Sequence, residues 1–124
     1  MAIYTNLPVY KDTYSLLLNL SIMMPRLPRD SRYTIGQELR KTVMDNILLI
    51  YRANRVRNKC PLISQMRENV LQTQVYVRLL CDMRQISERK YAELLEQTSS
   101  ISRQLSAWEK SEINKNNNVE SHNM

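Results

Sequence analysis

One glycine in 124 residues is the feature that most limits the folds open to this chain. Tight hairpin turns and phosphate-cradling loops need backbone conformations that glycine alone adopts at low cost. Gly36 cannot supply them by itself, and four prolines add little further punctuation. All-β folds, dinucleotide-binding βαβ units and P-loops are therefore excluded. With 43% apolar residues the composition is globular, and the length suits one domain. What remains is helix.

Pro8 suits a first helical turn and predicts a helix to about Met24. Pro25-Arg26-Leu27-Pro28-Arg29-Asp30 reads as a loop, because each proline pushes the residue before it out of the α region. A cap from Asp30 or Ser31 then opens a second helix through Leu39, Val43, Ile47 and Ile50 to about Asn54 or Arg57. Cys60-Pro61 starts a third, which carries Leu62, Met66, Val70, Val77 and Leu80 to about Arg84. Ser87 caps a fourth, where Tyr91, Leu94, Thr98, Ile101, Leu105 and Trp108 recur in steps of three and four. From 112 onward the run through Asn116-Asn117-Asn118 holds too little apolar surface to offset the entropy of ordering. The expectation is an all-α, antiparallel up-down-up-down four-helix bundle over 1–111, with a disordered polar tail over 112–124.

Catalysis finds no support in the residues. Cys60 and Cys81 lack metal-ligand spacing and His122 is the only histidine, so neither a metal nor a cofactor is expected. No glycine-rich loop or nucleophile elbow accompanies them. Leu16 to Met24, the longest apolar cluster, is broken by Asn19 and Ser21 and is too short to span a bilayer. The start of the chain, Met1-Ala2-Ile3-Tyr4, does not read as a secretory signal, and the expected location is the cytoplasm.

Two features exceed what a simple bundle needs. Ile47-Leu48-Leu49-Ile50 sweeps most of the way around a helix, and Leu16-Leu17-Leu18 with Leu20 does the same, so one core face cannot bury them all. This surplus predicts a homo-oligomer whose interface draws on Leu16, Leu18, Met44 and Leu48. The second feature is charge. Residues 26–67 hold ten basic groups against three acidic ones, a net of +7 within a chain of net +6. If the second helix ran far enough, Lys41, Arg52, Arg55 and Lys59 would fall within about 60° of one another. Arg67 and Arg78 share a face of the third helix, and Arg57 adds charge beside the cluster. Such stripes can track a phosphate backbone with salt-dependent, sequence-tolerant affinity.

The collinear series Leu7-Pro8-Val9-Tyr10-Lys11, Tyr33-Thr34-Ile35-Gly36-Gln37-Glu38-Leu39, Tyr51-Arg52-Ala53-Asn54, Tyr76-Val77-Arg78-Leu79-Leu80 and Ser102-Arg103-Gln104-Leu105-Ser106-Ala107-Trp108 resembles the accessory variability determinant (Avd) proteins of diversity-generating retroelements. These are grouped with the proteins encoded in 23S ribosomal RNA intervening sequences, which are pentameric four-helix bundles. The resemblance implies a ring-shaped homopentamer that binds nucleic acid, either template RNA or an RNA–DNA hybrid. It also implies a reverse transcriptase as partner and a role in mutagenic retrohoming. It carries Arg78 over first, then Arg52 and Arg55, while Arg57 and Lys59 rest on charge alone. Ser106 stands where family members often have glycine.

The expected function is thus that of a non-enzymatic accessory subunit with no membrane partner. It would capture RNA or DNA where basic groups of several protomers converge. The alternative is a structural or protein-interaction bundle of the intervening-sequence type that binds no nucleic acid.

Overall fold

Each of the four prolines stands at the start of a helical segment, where its missing N–H costs nothing. The computed structural model describes residues 3–123, with side chains as far as residue 118. α1 spans Pro8–Met23, α2 Gln37–Ala53, α3 Cys60–Asp82 and α4 Glu88–Asn123. A helical turn, Arg29–Ser31, and a π turn, Arg32–Gly36, lead into α2 without a break. No strand occurs among the described residues, so the chain has the all-helical class that scarce glycine requires.

α1 packs on α2, α2 on α3, α3 on α4 and α4 back on α1, which closes a bundle. Cross-helix partners give the directions. Asn19 on α1 donates to Glu93 and Gln97 on α4, whereas Gln104, further along α4, donates to Asp12 nearer the start of α1. Gln74 on α3 meets Thr98, while the earlier Arg67 meets the later Glu109. Tyr4, just before α1, sets its ring 5.2 Å from that of Tyr51 near the end of α2. Neighbouring helices therefore run antiparallel.

The interior is aliphatic, with Leu20, Leu39, Ile50, Ile63, Leu80 and Leu105 almost wholly enclosed. Its few polar groups are satisfied locally. Thr13 and Thr73 donate to the carbonyls of Val9 and Asn69 in their own helices. Asn69 donates to Asn46 Oδ1, and Asn46 donates in turn to the Met66 carbonyl, so a buried amide pair joins α2 to α3.

Several expected boundaries move, each for a tertiary reason. Neither Asp30 nor Ser31 caps the second helix, which begins at Arg29 behind Pro28. Ser31 is buried, and its hydroxyl donates to Gln85 Oε1 at 2.9 Å, tying the start of α2 to the α3–α4 connection. α2 stops at Ala53, beside the expected Asn54, where Lys59 turns back and donates its ammonium to the carbonyls of Ala53, at 2.5 Å, and Val56, at 2.6 Å. α4 does not stop at 111 but continues as helix to Asn123. Glu112 is buried beside Lys115, and Asn116 reaches Cys60 Sγ at the start of α3, so this stretch has a docking surface. Met124 and the side chains of residues 119–123, the imidazole of His122 among them, lie outside the described residues.

Leu16 is 2% exposed and belongs to the core, which removes it from any surface contact. It shares its helix face with Val9, Thr13 and Leu20, all buried. Leu18, Met44 and Leu48 are 50%, 42% and 43% exposed.

Candidate nucleic-acid interface

The cations that the sequence groups together separate into two surfaces. Lys41 and Arg52 keep helical register on the outer face of α2, both exposed and with no ion pair among the described residues. Asp45 and Glu38 lie on the same helix within a turn of Lys41, also without an ion pair. Because α2 ends at Ala53, Arg55 and Lys59 leave that register. Arg55 is held by Tyr51: it donates to the phenol oxygen, and its guanidinium carbon lies 5.3 Å from the ring centroid. Lys59 is committed to capping α2, whereas Arg57 in the α2–α3 connection is exposed and forms no ion pair among the described residues.

Arg67 and Arg78 sit at the α3–α4 seam, away from the α2 strip. Arg67 pairs with Glu109 across the seam at 2.5 Å, the two side chains 45% and 20% exposed. Arg78 Nε donates to Asp82 Oδ2 at 3.2 Å, one turn along α3. The hydrogen bond that it donates to Asp82, helped by one with Tyr91, holds the guanidinium still more firmly in its charged form. A phosphate arriving at either arginine must compete with a carboxylate already in place. On α2, Lys41 and Arg52 form no ion pair among the described residues, although Glu38 and Asp45 lie within a turn of Lys41.

That strip extends beyond the residues expected from sequence. A groove of about 600 Å³ opens between the α1–α2 turn and the start of α2, lined in part by Arg32, Tyr33, Arg40 and Lys41. Arg32 Nη2 donates to the carbonyls of Pro25, at 3.0 Å, and Leu27, at 3.1 Å, which fixes its charge in the wall. Arg32 and Arg40 escape a reading by helix wheel because the groove exists only where the turn folds back on α2. Their spacing from Lys41 was the available signal.

Among the described residues no cluster of histidine, cysteine and carboxylate side chains could hold a metal ion. Cys60 and Cys81 are free thiols near opposite ends of α3. No helix of the described residues is long and apolar enough to cross a membrane.

A family model described as bAvd-like matches residues 9–112 of the chain. No curated protein matches it.

Proposed function

The chain belongs to the bAvd-like family and is an Avd-type protein, and from that premise we propose that it is a non-enzymatic accessory subunit of a diversity-generating retroelement. It captures template RNA or an RNA–DNA hybrid on a basic surface and presents it to the retroelement reverse transcriptase. The single observation that carries the reading is the set of exposed cations Arg40, Lys41 and Arg52 on α2, none in an ion pair among the described residues, in a chain of net charge +6. Exposed cations that are free of ion pairs displace counterions from a phosphate backbone without reading bases.

Exposed apolar surface supports assembly. Met44 and Leu48, one turn apart on α2, form one exposed apolar strip, Leu71, Val75 and Leu79, one turn apart on α3, form another, and Leu18 is exposed on α1. Two different strips on two sides of a bundle suit head-to-tail contacts, which close into rings. The family supports five copies. Met44 and Leu48 lie between Lys41 and Arg52 on one face of α2, so a contact between copies that covers the first pair competes with phosphate binding at the second.

RNA affinity measured across a salt series tests the reading. Phosphate capture predicts a steep linear fall of log affinity with log salt. Lys41→Glu with Arg52→Glu should reduce affinity at least about tenfold and flatten the slope, with helical circular dichroism unchanged. No detectable binding at low salt would reject it. The second reading, a protein-interaction bundle, is favoured by the carboxylates that occupy Arg67 and Arg78, and that null result would select it.

A further inference from the structure

The groove at the α1–α2 turn combines three cations with an exposed aromatic ring. Tyr33 is 56% exposed and lines the groove beside Arg32, Arg40 and Lys41, with Glu38 as the one carboxylate in its wall. Met24, which is buried, and Met44 supply apolar surface within it. At about 600 Å³ the groove falls in the size range of small-molecule sites. Tyr33, Gln37, Arg40, Lys41 and Met44 follow one another at helical spacing, so ring and cations share one side of the α2 segment.

We propose that this groove binds an unpaired nucleotide of a single strand, its base stacked on Tyr33 and its flanking phosphates met by Arg40 and Lys41. The inference rests on the nucleic-acid reading above and narrows it to single strands at one location. A ring this exposed contributes nothing to the core, yet it lies where three cations lower the cost of bringing phosphates close. Base stacking on an aromatic ring is sequence-tolerant and requires an open base face. A duplex has phosphates to offer but keeps its base faces stacked on one another. Charge alone would not distinguish the two forms, whereas Tyr33 does. Arg32, anchored through Nη2 by the carbonyls of Pro25 and Leu27, holds the wall in place, while its buried Nε has no hydrogen-bond partner among the described residues.

The test is fluorescence anisotropy of a labelled single-stranded RNA octamer and of a blunt duplex of the same sequence, on the full chain. Tyr33→Ala should weaken the single strand roughly tenfold and the duplex hardly at all, while Tyr33→Phe should bind as the parent does. In Tyr33→Trp, indole emission should be quenched by the octamer. Equal losses on both forms, or none on the single strand, overturn the proposal. If the parent binds duplex but not the octamer, this proposal fails and the broader reading stands. If it binds neither at low salt, both fail. A Tyr33→Ala variant whose mass by light scattering changes while octamer affinity does not assigns the groove to a second copy of the chain, which also overturns it.

Discussion

Arg84 adopts φ of 60°, the only positive value among the non-glycine residues described. It follows α3 at the position where helices usually place glycine: Gln85 N–H returns to the Leu80 carbonyl at 2.8 Å and Arg84 N–H to that of Cys81 at 2.9 Å. A left-handed residue with a Cβ costs about 1–2 kcal/mol. Because Arg84 is exposed, Arg84→Gly should raise stability by about 1 kcal/mol, seen as a higher urea midpoint. Arg84→Val should lower it. Charge at the α1–α4 seam gives a pH effect of definite sign. The hydrogen bond from Asn19, then the Lys90 ammonium, lowers the Glu93 carboxyl below its ordinary 4.5. A carboxylate so lowered adds stability above the ordinary range, and that contribution is lost as pH falls through the folded value. With the Glu93 side chain 54% exposed, the contribution stays below roughly 1 kcal/mol. Glu93→Gln should therefore make the urea midpoint decline less between neutral pH and about pH 3.

Between helices, the Asn46–Asn69 pair is the polar contact with most at stake. Both residues are over nine-tenths buried, and Gln65 donates to Asn69 Oδ1 from the rim. Asn69→Ala leaves Asn46 Oδ1 without its donor and should cost about 1–3 kcal/mol. Replacing both by leucine removes the unmet need along with the bond, so the double variant should unfold at higher urea than Asn69→Ala. This ladder also shows what was legible in the sequence. The heptad-like stripe from Tyr91 to Trp108 and the apolar positions of α2 fixed four helices, because a helix buries residues at its own local period. The end of α2 at Ala53 falls beside the expected Asn54, whereas Ser31 capping nothing and α4 passing residue 111 were not readable, since each depends on a residue distant in sequence: Gln85 and Cys60. The candidate site divides in the same way. Its cations are visible as letters. Whether a carboxylate 42 positions away neutralises one, as Glu109 does Arg67, is a property of packing.

For the whole molecule, the proposed assembly would use the two exposed apolar strips, and their number bears on its geometry. An isologous dimer pairs a patch with itself, so one strip would suffice and the other would stay exposed. A head-to-tail assembly consumes both. Leu48→Glu on the α2 apolar strip and Val75→Glu on the α3 strip each place a charge on surface that is already exposed, so each should fold with unchanged helical content. Leu16→Ala should behave in the opposite way, losing about 2–5 kcal/mol of stability with no direct effect on contacts between copies, because Leu16 is interior. In a head-to-tail ring either charged variant alone must reduce the mass measured by light scattering to that of a single chain. Mixed in equal amounts, the two should form a dimer and stop there. Each variant keeps the strip that its partner lacks, so one good interface forms and neither free end can extend it. A mixture that remains monomeric, or single variants that keep the parent's mass, would show that these strips do not pair with each other.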